Sequence, residues 1–217
     1  MDSSFGLTIP ETLDELCDRS RAALLVYDMQ VGVVSQLPDG AEIVDRVGTL
    51  LRAARAAGLR IVYARHYNVP LGWAGVGQLR MAKTWQRVHL ASELKQALSH
   101  GSPGCEIVDA LAPRREDVVL DKVTMSAFES TPLALLLRDA GLCSFLIAGI
   151  ALEVGIEPTA RHGADLGFIP VVVQDACGFG NAEAAHRSLA ALKYAGDSVL
   201  TDLASVSAAL QSKARTS

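Results

Sequence analysis

The sequence of 217 residues predicts an α/β protein built on a three-layer, doubly wound sheet of mostly parallel strands with helices on both faces. Short apolar runs recur along the chain, and segments with apolar residues at helical spacing follow most of them. Such alternation of strand and helix is typical of a parallel sheet that is covered on both faces. No internal repeat, low-complexity segment or linker divides the chain, so we expect a single domain over residues 1–217.

The apolar runs predict six strands, at residues 21–28, 59–64, 117–120, 143–149, 169–174 and 198–201. Helical spacing predicts helices at residues 41–57, 131–140, 156–166, 181–196 and 203–210, and a short helix at 11–17 within an N-terminal arm, 1–20. Gly58 and Gly141 mark the points where two of these helices stop. Pro132 and Pro158 suit first helical turns, where a missing N–H costs little.

In two connecting segments and in the C-terminal tail, the apolar residues show no clear helical or strand spacing. Residues 65–99 predict a long loop with helical pieces, which leaves the carboxyl end of the second strand. Loops in that position often shape or cover a site. Residues 101–116 are rich in turn formers, and 107–111 within them predict either a short strand or a helical turn. The polar tail at 212–217 is expected to fray.

The charge balance argues against polyanionic partners. The chain has 20 basic and 24 acidic residues and a net charge of −4, so it lacks the basic footprint of a protein that binds nucleic acid or an anionic membrane. No apolar run approaches the ~20 residues that span a bilayer. The acidic N-terminal segment also lacks the basic region of a signal peptide. We therefore expect a cytoplasmic protein that acts on a small molecule.

Cofactor motifs are missing from the sequence. Neither the glycine-rich dinucleotide motif nor the phosphate-binding P-loop occurs, so no cofactor is expected. Cys17, Cys105, Cys143 and Cys177 show no Cys-x-x-Cys spacing, which argues against a zinc site or a redox pair. We expect packing thiols and no disulfide bond in a reducing cytosol.

The stretch from Ser144 to Phe168, SFLIAGIALEVGIEPTARHGADLGF, predicts a strand, a tight turn and a helix. A helix that begins at the carboxyl end of a parallel strand presents unpaired N–H groups and a partial positive charge there. Anionic groups and developing oxyanions are stabilised at such a position. Because Pro158 suits the first helical turn, we expect Gly155 at the mouth of a site.

This stretch resembles the isochorismatase-like hydrolase superfamily, whose motif is roughly Gly-x-x-Thr-x-x-Cys-x-x-x-Thr-Ala. Gly149, Thr159 and Ala160 match the motif. Leu152 stands where the family usually has Thr, and Gly155 stands where most members carry a nucleophilic Cys. The segments LLVYDMQ and DKVTMSAF match the family closely. The resemblance implies the strand order 3-2-1-4-5-6.

Asp28 and Lys122 lie in those two matching segments. In the family, the equivalent Asp and Lys form a cluster with the Cys, and the Asp deprotonates the Cys for attack on an amide or similar bond. Gly155 has no side chain and cannot be a nucleophile. Cys177 follows the fifth strand and could approach the same edge, although we favour a buried structural thiol.

Isochorismatase itself also lacks the Cys, so the resemblance implies a cysteine-independent hydrolase that cleaves an enol ether. In that mechanism Asp28 is the general acid and Lys122 its electrostatic partner. Asp28 needs a proton for this role, so burial must raise its pKa more than the lysine lowers it. Two alternatives stay open: a hydrolase of amides or ureides that uses activated water, and a catalytically silent binding or oligomerisation module.

Several residues near this edge are candidates for binding the substrate. His66 stands where isochorismatase-type proteins have a Gln that binds substrate. Arg80 and Trp73 lie in the covering loop, where Arg80 suits bidentate binding of a carboxylate. The turn after the fourth strand completes the candidate set with Ala151, Leu152 and Glu153.

Glu153 and Glu157 flank Gly155 in a region that otherwise favours anions. Glu153 is either an outward capping carboxylate or, together with Glu157, part of a pocket that prefers a polar or cationic substrate. The residues alone leave both interpretations open.

Metal binding is not expected. Nicotinamidase-type relatives bind a metal through an Asp-x-His pair and another His, and this sequence has no Asp-x-His. Its five histidines are not spaced for such a site. The large apolar fraction, 50% of the chain, and the self-associating habit of the family predict a homo-oligomer, a dimer or tetramer.

Overall fold

The computed structural model describes residues 2–214. Its strands are β1 (Asp2–Ser4), β2 (Leu7–Ile9), β3 (Ala22–Tyr27), β4 (Arg60–His66), β5 (Val118–Lys122), β6 (Ser144–Ile150), β7 (Ile169–Gly178) and β8 (Val199–Thr201). Its α-helices are α1 (Leu13–Leu16), α2 (Val31–Val34), α3 (Gly40–Ala56), α4 (Val76–Gln86), α5 (Leu133–Asp139), α6 (Glu157–Asp165), α7 (Ala182–Ala195) and α8 (Leu203–Ala214).

The main sheet contains β3 to β8 in the order β5-β4-β3-β6-β7-β8. Every neighbouring pair in it is parallel. Numbered from the first strand of this sheet, the order is 3-2-1-4-5-6. The predicted fold class and strand order are therefore confirmed.

Two hydrophobic clusters cover the two faces of the sheet and make the three layers. On one face, Leu24 and Val26 of β3 belong to a cluster with α3 and α8. On the other face, Ala23 and Leu25 belong to a cluster with α5, α6 and α7. Residues of β3 are buried whichever face they point to. This explains why the strand reads as a continuous apolar run instead of an alternating one.

The N-terminal arm contains an antiparallel hairpin, β1 and β2, which the sequence analysis did not predict. Its strands have three residues each and are largely exposed, so they leave no hydrophobic period to read. The short helix expected at 11–17 is present as α1. Thr12 and Glu15 cap it reciprocally, because the Thr12 side chain accepts from the Glu15 amide and the Glu15 carboxylate accepts from the Thr12 amide.

The helical pieces predicted within the long loop at 65–99 include the eleven-residue helix α4, and of the two alternatives for 107–111 the structure has a helical turn, Asp109–Leu111. The bounds of two strands and of the last helix require correction. β5 extends to Lys122 because it pairs with β4 as far as His66. β7 extends past 174 because its ladder with β6 resumes after a register shift. α8 continues to Ala214, so residues 212–214 are helical, while 215–217 lie outside the described residues.

None of the helices in the described range 2–214 is long and apolar enough to cross a membrane.

Large apolar side chains lie exposed on several elements, among them Trp73, Val76 and Tyr194. We predict that a homo-oligomer covers some of these side chains, because their burial between subunits removes apolar area from water. Sedimentation at micromolar concentration should show a species of at least twice the 23.0 kDa of one chain. A monomer alone at that concentration would overturn the prediction.

Candidate active site

Asp28 and Lys122 meet at the carboxyl edge of the sheet. Asp28 directly follows β3, and Lys122 ends β5, with β4 lying between the two strands. Lys122 Nζ donates to Asp28 Oδ2 at 2.8 Å. Asp28 has a positive φ of 48°, a conformation that Asp tolerates better than most residues. The turn thus directs its carboxylate across the end of β4.

The pair is almost completely removed from water. The Lys122 side chain is 0% exposed and the Asp28 side chain 10% exposed. Burial raises the pKa of Asp28 to about 6, although the Lys122 charge opposes that rise. Burial likewise lowers the pKa of Lys122, against the opposing effect of Asp28. The effect of burial on Asp28 thus outweighs the effect of the lysine, as the general-acid assignment requires.

The second carboxylate oxygen of Asp28 is free to act. Asp28 Oδ1 is buried and accepts no hydrogen bond of ordinary geometry; the His66 amide lies close enough to lower the Asp28 pKa, but it donates to Gln30 at 2.8 Å. A buried acceptor without a partner is costly and calls for a ligand or water to satisfy it. This atom can therefore accept a hydrogen bond from water or from a ligand.

Gln30 holds the neighbouring backbone and was missed by the sequence analysis. It is fully buried, accepts from the His66 amide at 2.8 Å, and donates to the carbonyls of His66 at 2.9 Å and Cys105 at 3.0 Å. It thus joins the end of β4 to the segment around Cys105. The available signal was an amide side chain two residues after Asp28 in an otherwise apolar segment.

Gly155 lies at the start of the helical layer, where the chain leaves β6. A π-helical turn, Leu152–Ile156, runs directly into α6. The Gly155 amide donates to the Ala151 carbonyl at 2.9 Å. A Cβ added to Gly155 would lie 2.0 Å from Tyr27 Oη. Gly155, which stands where most family members carry the nucleophilic Cys, is therefore packed against Tyr27, the residue before Asp28.

The predicted substrate-binding residues divide into two groups. His66 pairs with Lys122 in the β4–β5 ladder, and burial together with the Lys122 charge lowers its pKa to about 4, so its ring is neutral at pH 7. Ala151 and Leu152 directly follow β6, which lies next to β3 in the sheet. These three positions lie at or beside the sheet edge that carries Asp28.

Arg80 and Trp73 lie on the covering segment and are exposed. Arg80 lines a surface cavity of about 610 Å³ with Lys83 and His89, and neither Asp28 nor Lys122 is among its lining residues. Gln78 is the α4 side chain that reaches toward the site, with Nε2 at 3.4 Å from the Val123 carbonyl. Arg80 comes two residues later and projects from a different face of α4. Substrate binding by Arg80 and Trp73 stays a prediction.

Both glutamates beside Gly155 make contacts toward α7. Glu153 Oε1 accepts from the amides of Gly180 at 2.8 Å and Asn181 at 2.9 Å, just before that helix begins. Glu157 accepts from Arg161 at 3.0 Å and from the Ser188 hydroxyl on α7. These contacts favour the capping interpretation of Glu153 over a pocket that prefers cations.

No group of three or more His, Cys, Asp or Glu residues within the described part of the chain could hold a metal ion. That the protein works without a metal stays a prediction.

The four cysteines form no disulfide bond in the described residues. Cys177 pairs with Gly149 in the β6–β7 ladder, where burial raises the pKa of its thiol to about 12. Its Sγ donates to the Val173 carbonyl at 3.2 Å. Cys177 is the cysteine that the sequence analysis placed near this edge. Its thiol is thus protonated near neutral pH and hydrogen-bonded to the backbone.

We predict that saturating treatment with iodoacetamide leaves turnover nearly intact. Position 155 carries no thiol, and the buried Cys177 stays protonated near neutral pH. The measurement is residual activity beside the extent of labelling of each cysteine by mass spectrometry. Inactivation in step with modification of Cys177 would make that thiol the nucleophile and contradict the prediction.

Comparison with known proteins places the chain in a family. The isochorismatase domain family matches residues 22–204. Ureidoacrylate amidohydrolase RutB of Klebsiella pneumoniae subsp. pneumoniae is 31% identical in an alignment 182 positions long, which covers 77% of this chain and 76% of that protein.

Two solved structures agree with the sequence match. A cysteine hydrolase from Pseudomonas syringae pv. phaseolicola has a TM-score of 0.74 at 27% identity and covers 90% of this chain and 94% of its own. An isochorismatase family protein from Desulfovibrio vulgaris subsp. vulgaris has a TM-score of 0.74 at 28% identity, over 88% and 98% of the two chains. The chain therefore belongs to the isochorismatase family of hydrolases.

Proposed function

We propose that this protein is a cysteine-independent hydrolase of a small molecule, in a branch of the family that carries Gly in place of the nucleophilic Cys. Asp28 transfers the proton and Lys122 is its electrostatic partner. The observation that carries this proposal is the buried Asp28–Lys122 pair, in which Asp28 Oδ1 has no partner. A silent binding module has no chemical need for such a pair, because a buried ion pair stabilises a fold weakly at best.

The first candidate reaction is hydrolysis of an enol ether. Protonated Asp28 gives its proton to the terminal vinyl carbon of the substrate, which leaves an oxocarbenium ion and an Asp28 carboxylate beside the Lys122 cation. Water adds to the cation and loses a proton, and the resulting hemiketal breaks its C–O bond to release an alcohol and a carbonyl compound. The raised pKa of Asp28 supports this route, since a carboxyl of ordinary pKa holds almost no proton at pH 7.

The second candidate reaction is hydrolysis of an amide or ureide, and the similarity to ureidoacrylate amidohydrolase RutB favours it. Ionised Asp28 takes a proton from water, and the resulting hydroxide adds to the substrate carbonyl carbon. The tetrahedral intermediate then breaks its C–N bond, and the leaving nitrogen takes the proton back from Asp28.

The dependence of the rate on pH separates the two reactions. A general acid is active while protonated, so enol ether hydrolysis should slow as the pH rises through the Asp28 pKa of about 6. A general base is active while ionised, so ureide hydrolysis should slow as the pH falls through the same value. The logarithm of kcat/KM between pH 4 and 9 gives the sign of the slope, and a flat profile would contradict both assignments.

A substrate screen tests the proposed function directly. Enol ethers, ureides, amides and aromatic acids are incubated with the protein, and release of the carbonyl product or of ammonia is followed alongside thermal shifts. We expect one class to be turned over. Stabilisation by one of these classes without any product, at saturating concentration and over the whole pH range, would instead establish a binding module.

A further inference from the structure

Tyr27, which no sequence motif singled out, fills the space between the parts of the candidate site. It ends β3 immediately before Asp28 and is 1% exposed. Lys122 Nζ lies 4.2 Å from the centroid of its ring, within the range of a cation–π interaction. Its hydroxyl donates to the Met125 carbonyl on the segment after β5. The ring therefore contacts the same ammonium group that Asp28 binds, and the hydrogen bond of the hydroxyl holds the ring in place.

The far end of the same side chain closes the space at Gly155. A Cβ on Gly155 would lie 2.0 Å from Oη, 2.3 Å from Cζ and 2.5 Å from Cε1 of Tyr27. Real Cβ atoms essentially never approach another heavy atom within 3.0 Å. Because the ring is buried and its hydroxyl is held, it cannot swing aside as an exposed side chain can. Tyr27 and Gly155 are therefore a size-matched pair.

Thr159 holds the two walls of this space together. Its hydroxyl donates to the Gly155 carbonyl at 2.6 Å and accepts from the Ala127 amide at 3.0 Å. The helical turn on one side and the segment after β5 on the other are thus tied by one buried side chain. The space that Tyr27 occupies cannot widen without breaking these contacts.

We propose that Tyr27 is a positioning residue of this site, which takes the space of a side chain at position 155 and holds Lys122 against Asp28 Oδ2. The proposal rests on the proposed function in that it assigns a role within the Asp28–Lys122 site. With position 155 closed and Oδ2 occupied, Asp28 Oδ1 is the acceptor left for water or substrate. Because the Tyr27 ring fills the space that a side chain at position 155 would need, the reaction in this site proceeds without a nucleophile from that position.

A double-mutant cycle tests the occupied space. Gly155→Ala should lower the unfolding temperature by about 4–10 °C, as expected for overpacking in a domain of this size. The same change on a Tyr27→Leu background should lower it little or not at all, because Leu lacks the atoms that clash. Gly155→Ala should still be harmful on a Tyr27→Phe background, since Cζ and Cε1 remain. Equal losses on all three backgrounds would overturn the pairing.

Titration of the Asp28 carboxyl by carbon NMR tests the positioning role and needs no substrate. The titratable groups around this carboxyl are Lys122, His66 and Tyr27. Tyr27→Leu should loosen Lys122 from Asp28 Oδ2 and raise the Asp28 pKa further above about 6, because the cation that opposes the effect of burial is then held less closely. Tyr27→Phe keeps the ring beside Lys122 and should leave the titration unchanged. A merely structural role for Tyr27 would leave the Asp28 titration in place in both variants.

The outcomes also separate this proposal from the proposed function. If no substrate is ever turned over but the cycle and the titration behave as expected, the positioning role stands and the hydrolase assignment fails. If a substrate is turned over and Tyr27→Leu leaves the Asp28 pKa unchanged, the positioning role is wrong. Should Tyr27→Leu fail to fold, a rise of the Asp28 pKa in Tyr27→Phe, which keeps the ring, would likewise overturn the support that we assign to the ring.

Discussion

Replacing Asp28 by Asn should lower turnover of the true substrate by about 10²–10⁴ while binding is largely retained. The amide keeps the size of the carboxyl group and can still accept a hydrogen bond from Lys122 Nζ, now 2.8 Å from Oδ2. It cannot give or take the proton that either candidate reaction requires. The substitution should therefore lower kcat and leave the substrate Kd almost unchanged. Single-turnover kinetics measure the chemical step, and the substrate Kd measures binding.

The matched control for this change is Asp45→Asn on the exposed surface of α3. It removes the same charge and adds the same amide far from the proposed chemistry, so its kcat should equal that of the unchanged protein. If Asp28→Asn turns the identified substrate over at the rate of this control, proton transfer by Asp28 is refuted.

The sheet and its reactive edge could be predicted because they depend on local patterns. Apolar runs such as 21–28 and 143–149 mark strands that are buried on both faces, and Asp28 follows the first of these. Once the strands are parallel, the carboxyl ends of β3 and β5 must share one edge. The strand order and the contact between Asp28 and Lys122 were implied by the family resemblance, and the 2.8 Å distance appears only in the structure.

The protonation of Asp28 could not be predicted from the sequence. The cation at position 122 is visible in the chain, whereas burial depends on everything that packs over the pair. The structure shows that burial outweighs the lysine and raises the Asp28 pKa to about 6. The orientation of Arg80 could not be predicted either. Its position in the covering loop did not reveal that it lies on a helix, α4, or which face of that helix carries it.

The pairing of Tyr27 with Gly155 was equally hidden. Each residue has a local explanation, one as an apolar strand residue and the other as a turn former. Their relation appears only when β3 and the helical turn after β6 are packed together, where a Cβ on Gly155 would clash with the Tyr27 ring. Complementary sizes between segments far apart in a chain leave no periodic signal in either of them.

Replacing Lys122 by Met should destabilise the protein by about 3–5 kcal/mol at pH 7, since it leaves the Asp28 charge buried without its cation. The double variant Asp28→Asn/Lys122→Met should lose less, because neither charge then remains in the site. Urea unfolding measures the free energies, and Lys193→Met on exposed α7 is the control for loss of one lysine.

The loss in Lys122→Met should also depend on pH in a fixed direction. Without the cation that opposes burial, the pKa of Asp28 in the folded protein rises above its value of about 6, while in the unfolded chain it stays near the ordinary ~3.9. The folded variant then binds a proton that the unfolded chain releases, so stability is retained below about pH 4 and falls as the pH rises through the folded pKa. The deficit relative to the unchanged protein should be smallest near pH 4 and grow toward pH 8. A deficit that is the same at both pH values would mean that Lys122 contributes packing alone and that Asp28 carries no charge for it to balance.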